Sequence, residues 1–192
     1  MSNFQIYLID TETTGLEIGS AEIIEISMYR LSDNVQNTWC IKPSKYDKIS
    51  EDALRVNGHK LEDLMHKTAH GKETYKLPEQ VISEIENWMM EDFSTPEDRI
   101  FVAQNAYFDK LHMEHLWKSC GFGETFPFGR KYLDTIQIEL FLDFADGKQE
   151  NYYNLSSLVE RYKIKKGKFH TAADDTLMLK DVFLSQIKRV QK

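Results

Sequence analysis

Near its start the chain runs Phe4-Gln5-Ile6-Tyr7-Leu8-Ile9-Asp10, apolar on both alternating faces: Phe4, Ile6 and Leu8 on one, Tyr7 and Ile9 on the other. A strand with one face in water alternates apolar with polar residues, so a strand apolar on both faces has to be covered on both. This places the segment at the centre of a sheet flanked by helices. Two further β-rich runs follow, Glu22 to Leu31 and Val35 to Ile41, separated by the turn cluster Ser32-Asp33-Asn34, and the three together read as an antiparallel meander.

Beyond the meander the period changes. From Leu77 to Phe93 a single helical stripe carries Val81, Ile82, Ile85, Trp88 and Met89, and Ile100 to Ala103 is a short buried strand. Amphipathic helices are predicted over Tyr107 to Cys120 and Ala172 to Val190, with a short strand near Tyr132 to Thr135 and helices at Ile136 to Phe144 and Leu155 to Tyr162. Between meander and helices, Ser44 to Lys76 shows only weak helical signals at Ser50 to Val56 and Leu61 to His66, and the aperiodic tail from His66 to Lys76 reads as a mobile loop. The expected class is α/β, with a mixed five-stranded sheet whose antiparallel meander is followed by parallel strands. With 192 residues, 41% hydrophobic and 29% charged, one domain over 1–192 is expected. Met1 to Gln5 has no basic and apolar leader pattern and no apolar run is long enough for a membrane span, so a cytoplasmic protein with no membrane partner is expected. Cys40 and Cys120 are too few for a disulfide framework and read as reduced and structural.

The acids carry the chemistry. In Asp10-Thr11-Glu12 the two carboxylates stand two residues apart where the first strand runs out, and such residues project to the same side of an extended backbone. Two close carboxylates repel unless a cation or a proton lies between them, so a metal site and a shared-proton dyad both fit, while an isolated Asp-x-Glu is more often a solvated strand end. Asp109, in Asn105-Ala106-Tyr107-Phe108-Asp109, lies at 100° per residue on the same helix face as Met113, Leu116 and Cys120. An early-turn Asp complementing the helix dipole is common, but one aimed at an apolar stripe is costly without a partner, which favours a metal role.

The third element is His170-Thr171-Ala172-Ala173-Asp174-Asp175, opening the last helix. Taking Leu179 as the centre of that helix's apolar stripe, Asp175 falls about 40° away and Asp174 about 140° away, so Asp175 faces the sheet and Asp174 faces water. Just before it, Lys163 to Lys168 holds four lysines in six residues. Such a run is commonly a solvated loop; beside a carboxylate metal cluster, Lys165, Lys166 and Lys168 could hold the phosphates of an incoming strand.

In order and type, Asp10-Thr11-Glu12-Thr13-Thr14-Gly15-Leu16, Asn105 to Asp109, and His170 to Asp175 resemble the three motifs of the DEDDh (DnaQ-like) exonucleases, and they span almost the whole chain. That family includes the proofreading subunit of bacterial replicases, exonuclease X and ribonuclease T, and the resemblance implies a ribonuclease H-like fold. His170 stands five residues before Asp175 and no Tyr stands four before it, which matches the histidine branch. Ile23-Ile24-Glu25-Ile26 resembles the family's second strand, Ala53 to Gly58 its substrate-side segment, and Asp134-Thr135 a strand end. The chain departs from the pattern at Gln104, where many members have His, and at His59-Lys60, where many have Ile-Thr; it also lacks the Met that oligoribonucleases place at Thr11 or Thr13.

The resemblance implies a 3′-5′ exonuclease of single-stranded or frayed DNA ends that releases nucleoside 5′-monophosphates. Asp10, Glu12, Asp109 and Asp175 would hold two Mg²⁺ or Mn²⁺ ions, His170 would be the general base, and Thr13, Leu16, Asn105 and Phe108 would position the terminal nucleotide. The expected partner is a nucleic-acid 3′ end, DNA ahead of RNA, and a polymerase and a second copy of the chain are both candidate protein partners. Trimming of RNA 3′ ends is the alternative within the class, and a non-catalytic nucleic-acid-binding module is the alternative outside it. The net charge of −7 disfavours tight binding of long duplexes more than it disfavours holding a few terminal nucleotides beside bound cations.

Overall fold

Strand β1, Gln5–Thr13, lies inside a six-stranded sheet: on one side β2 (Ile23–Arg30) pairs antiparallel with it and β3 (Val35–Ile41) antiparallel with β2, and on the other β7 (Arg99–Ala103) and β8 (Tyr132–Asp134) follow in parallel. The computed structural model describes residues 4–65, 68–69, 72–73, 75–167 and 171–191. Tyr7 and Ile9 point to one face, where they meet Trp39, Trp88, Phe101 and Trp117. Leu8 points to the other, against Val102, Leu179 and Phe183. Helices α3 (Pro78–Met90) and α4 (Ala106–Ser119) supply residues to the first layer and α7 (Ala172–Val190) to the second, so the two-faced apolar strand is covered as expected. Among the described residues no helix is long and apolar enough to cross a membrane, and Cys40 and Cys120 are both free thiols.

Three local expectations need correction. Pairing of β1 with β2 continues through Glu12 to Thr13, so the Asp-x-Glu motif belongs to the strand rather than lying past its end. The sheet has a sixth strand, Tyr75–Lys76, which pairs parallel with Cys40 and Ile41 at the β3 edge. Two residues are too few to show a period in sequence; the pairing is decided by Tyr75, which is buried among Ile24, Leu54 and Leu64. The expected loop before it contains a short ladder, Thr68–Ala69 antiparallel to Lys72–Glu73, while His66, Lys67, His70, Gly71 and Thr74 lie outside the described residues. With Thr68–Ala69 as β4 and Lys72–Glu73 as β5, the sixth strand is β6, and the sheet order is β6-β3-β2-β1-β7-β8. Preceding them are α1 (Glu51–Asn57) and α2 (Leu61–Met65).

Helix α5 (Thr135–Ala145) turns its acids inward and its phenylalanines outward: Glu139 and Asp143 are buried, whereas Phe141 and Phe144 are exposed. Two arginines compensate the buried charge. Arg161, at the end of α6 (Leu155–Arg161), reaches Glu139 at 2.9 Å and Asp143 at 3.0 Å, and Arg189 near the end of α7 reaches the same two carboxylates at 2.8 Å each. Gln186 and Tyr162 donate further hydrogen bonds to Glu139 at 2.9 and 2.6 Å. This network ties three helices together and fixes how α7 lies on the sheet. Removing one partner of a buried ion pair leaves charge without compensation, so Arg189→Met should cost about 3 kcal/mol. For a chain of this size that is a fall of about 6–12 °C in melting temperature. A change below about 1 kcal/mol in a calorimetric scan would mean that Arg161 alone satisfies both acids.

Candidate active site

The two acids of β1 are aimed by the strand, just before a bulge in its partner β2. Asp10 pairs with Ser27 and Glu12 with Glu25 across β2, after which the register shifts between Glu12 and Thr13. The extra residue, Ile24, lies on β2, so it is β2 that bends and twists there, while β1 keeps its pairing through Thr13 and Thr14 N–H donates to the Glu22 carbonyl at 2.9 Å. The end of β1 is also held by α1: the Asn57 amide donates to the Thr13 carbonyl at 3.1 Å, and Ser50 N–H donates to the Thr14 carbonyl at 2.8 Å.

Helix α7 brings the third acid over these two. Its N-cap is Thr171, whose hydroxyl accepts from Asp174 N–H at 3.3 Å. The first turn is pinned to the sheet, since the Gln36 amide donates both to the Ala173 carbonyl at 2.7 Å and to the Ser27 hydroxyl at 2.9 Å. Ser27 is the cross-strand partner of Asp10, so the same contact that holds the helix start sets its height over the motif. Asp175 is buried and Asp174 is not, in agreement with the helix register read from the sequence. Carboxylate oxygens of Asp10, Glu12 and Asp175 lie within 4.8 Å of one another.

Asp109 stands beside this group, held from behind. One of its oxygens accepts from both the backbone N–H of Thr11, at 3.0 Å, and the Thr11 hydroxyl, at 2.8 Å. Burial pushes its carboxyl up to about 7, against the pull of the two Thr11 hydrogen bonds. Burial also raises Asp10 well above the usual carboxylate range, reinforced by the charges of Asp109, Glu12 and Asp175. Glu12 is pushed up to about 8 by burial and then by Asp175, Glu25 and Asp109. Asp10, Glu12 and Asp175 thus form a cluster of mutually opposing carboxylates, with Asp109 beside it but outside the group that converges within 4.8 Å, and such an all-oxygen donor set suits a hard divalent ion such as Mg²⁺ or Mn²⁺. The residues present therefore fit the metal that the motifs imply.

Next to the acids opens a cleft of about 570 Å³, lined among others by Glu12, Thr13, Leu16, Val56, Asn57 and Phe108. Leu16 is 83% exposed and Val56 is 54% exposed, so the cleft presents apolar surface beside the carboxylates. Phe108, which lines the cleft, lies against His112 with ring centroids 4.4 Å apart and the rings tilted by 53°. Asn105 is exposed, in a left-handed conformation with φ of 62°, where it caps the start of α4; Asn accepts this region more readily than most residues. Of the expected lysines, Lys165 and Lys166 are exposed, and Lys166 pairs with Glu160 at 2.5 Å. His170 and Lys168 lie outside the described residues.

Structure adds residues whose roles the sequence did not disclose. Gln104 is turned inward, donating to the Tyr153 carbonyl and accepting from the Thr135 hydroxyl, both at 2.6 Å, so this departure from the family pattern is a structural tie. Asp134 accepts from Asn105 N–H and Ala106 N–H at 3.1 Å each while also capping α5 through Ile136 N–H at 2.9 Å. It thus fixes the start of the helix that carries Asp109. Glu25 and His59 form a hydrogen-bonded pair at 2.9 Å behind Glu12. A charge inside the apolar run Ile23-Ile24-Glu25-Ile26 was the available signal for it.

A family model for exonucleases, RNase_T, matches residues 7–183. The PolC-type DNA polymerase III of Thermotoga maritima is 29% identical over 188 residues, covering 96% of this chain but 12% of the polymerase. The corresponding polymerase of Staphylococcus haemolyticus is 24% identical over 186 residues, 96% of this chain and 11% of its own length. The chain thus spans about a tenth of the length of the curated relatives it matches. Among solved structures, the nuclease domain of 3′hExo, a DEDDh family member bound to rAMP, superposes with a TM-score of 0.71 at 14% identity, covering 96% of this chain and 92% of that one. Escherichia coli ExoI in complex with single-stranded DNA gives 0.75 at 12% identity, with 98% and 41% covered. These two likenesses speak for the fold.

Proposed function

We propose, from the premise that this chain belongs to the RNase_T family of exonucleases, that it trims single-stranded or frayed DNA ends in the 3′-to-5′ direction and releases nucleoside 5′-monophosphates. The observation that carries this reading is the convergence of Asp10, Glu12 and Asp175 at the edge of a cleft walled by Leu16, Val56 and Phe108. A terminal nucleotide needs both: apolar surface for its base, and charge management where its phosphate lies.

Two divalent cations held by Asp10, Glu12, Asp109 and Asp175 would, when bound, stabilise the charge that develops on the phosphate and on the attacking and leaving oxygens. The protein's own groups do the rest. Phe108 and Leu16 hold the terminal base, Thr13 and Asn105 orient its sugar and phosphate, and Asn57 and Ser50 keep the Thr13–Gly15 backbone in place while they do so. His170 takes the proton of the attacking water, a task suited to an imidazole whose ordinary pKa lies near neutrality. Lys165, Lys166 and Lys168 attract the strand's phosphates. DNA takes precedence over RNA as substrate because the relatives are DNA polymerases, and that relationship also supports a polymerase as protein partner. We place the activity in the cytoplasm, in DNA replication or repair, within a single domain over 1–192.

The experiment is a time course with matched DNA and RNA oligonucleotides labelled at the 5′ end, with Mn²⁺, with Mg²⁺ and with EDTA. The expected result is a one-nucleotide ladder from the 3′ end on DNA, abolished by EDTA. Faster digestion of the RNA oligonucleotide would make the enzyme an RNA trimmer. Full activity in EDTA would sink the cation reading, and binding without cleavage under all conditions would leave a non-catalytic module.

A further inference from the structure

Across four strands, one row of cross-strand partners runs from the carboxylate cluster to the edge of the sheet: Glu12 on β1, Glu25 on β2, Cys40 on β3 and Tyr75 on β6. Directly opposed like charges weaken a sheet, so the Glu12–Glu25 pair is an unfavourable choice for stability alone. Glu25 is nevertheless buried, and its charge adds to those that raise Glu12 and Asp10. His59 secures it. The ring spans the row above Cys40, with Nε2 2.9 Å from the Glu25 carboxylate and Nδ1 2.7 Å from the Tyr75 hydroxyl. A carboxylate can only accept, so Nε2 donates. Burial, with further pushes from Cys40, Asp63 and Glu25, holds the Tyr75 hydroxyl above its ordinary range, so it keeps its hydrogen, and with the ring hydrogen on Nε2 alone it donates to Nδ1. Gly58, left-handed at φ of 74°, ends α1 and turns the chain so that His59 enters this position.

We propose that Glu25, latched by His59 to Tyr75, is an outer carboxylate of the cation site, strengthening cation capture through a fixed negative charge behind Glu12 without being one of the converging ligands. His59 is then a positioning residue: it prevents Glu25 from swinging away from Glu12 when the site is empty, which repulsion would otherwise favour. The inference rests on reading the Asp10, Glu12 and Asp175 cluster as a cation site. It also gives the two-residue strand β6 a functional reason, since β6 delivers the hydroxyl that anchors the latch. Groups beyond the immediate ligands that orient or charge a metal site commonly matter about tenfold or more for affinity.

The test uses the whole chain without nucleic acid, titrated with Mn²⁺ alone by calorimetry, and the melting temperature of each variant in EDTA. Glu25→Gln keeps an acceptor for His59 and removes the charge. It should bind Mn²⁺ roughly tenfold more weakly while melting in EDTA at or above the unaltered chain, because the cross-strand repulsion is gone. His59→Ala should weaken Mn²⁺ binding in the same direction, and His59→Gln, whose amide can donate to Glu25, should recover most of it. A merely structural role predicts a different pair of signs, with Glu25→Gln lowering the melting temperature in EDTA, and that result would overturn the proposal. So would Mn²⁺ affinity within twofold of the unaltered chain in Glu25→Gln while Asp10→Asn no longer binds. If Asp10→Asn binds Mn²⁺ as the unaltered chain does, the cation reading itself fails and the proposal with it.

Discussion

Asp175→Asn is expected to lose about a thousandfold in turnover and most of its Mn²⁺-induced stabilisation, while Asp174→Asn, one residue away, keeps both. The asymmetry is geometric. Asp175 is buried against β1 with an oxygen in the cluster that includes Asp10 and Glu12, whereas Asp174 sits on the half-exposed side of the same turn, against Gly167. Removing Asp175 takes away a negative donor that an amide does not replace. At a hundredfold excess over Kd, a cation stabilises the unaltered chain by about 2.7 kcal/mol, a rise of about 5–11 °C in melting temperature. That rise should shrink to a degree or two in Asp175→Asn. In EDTA the same variant should melt no lower than the unaltered chain, because Asp175 is among the charges that oppose ionisation of Asp10 and Glu12. Asp174→Asn is expected to cost at most about 1 kcal/mol, the scale of a first-turn carboxylate's interaction with the helix dipole. Thermal melts with and without Mn²⁺, alongside nucleotide release from a labelled oligonucleotide, read all four numbers. The reverse ranking of the two aspartates would mean that the helix start is rotated from the register described above.

His170→Ala should cut turnover by about 10²–10⁴-fold, the range that a positioned general base supplies. It should leave Mn²⁺-induced stabilisation nearly unchanged, because all four carboxylates remain. This separation of chemistry from cation capture distinguishes a base from a ligand. Loss of Mn²⁺ stabilisation in His170→Ala would move the histidine into the ligand set. Unchanged turnover would remove it from the reaction altogether, and a rate law with a different base would have to be sought.

The sequence determined a good deal of this protein by itself, and it did so where the physics is local. A strand apolar on both faces needs two covering layers whatever the rest of the chain does, so the central position of Ile6 to Asp10 was legible from side-chain period alone, although Phe4, counted with it, lies just before the strand and is 48% exposed. The boundaries of β3 and α7 follow from turn residues and helical stripes in the same way, and the ranking of Asp175 over Asp174 needs only the 100° step of a helix. The acids themselves were conspicuous because burying charge is costly and a chain rarely carries charge on an apolar face without a partner.

Only the tertiary structure decided which acids meet and what stands behind them. Asp10 and Glu12 are neighbours in sequence, but their distance from Asp175 depends on how Gln36 and Ser27 pin the first turn of α7, a contact across 137 residues. The sixth strand was invisible because its two residues carry no period, and its pairing comes from burial of Tyr75 against Ile24, Leu54 and Leu64. The latch of Glu25, His59 and Tyr75 was likewise beyond reach of spacing: its three members come from a strand, a post-helix turn and an edge strand, and they become one hydrogen-bonded line only when the sheet fixes their register. In α5 the inward Glu139 and Asp143 reverse what hydrophobic pattern alone would choose, because Arg161 and Arg189 arrive from two other helices to compensate them. Local sequence carries period, caps and charge; partners distant along the chain are set by packing, and it is packing that turns scattered acids into a site.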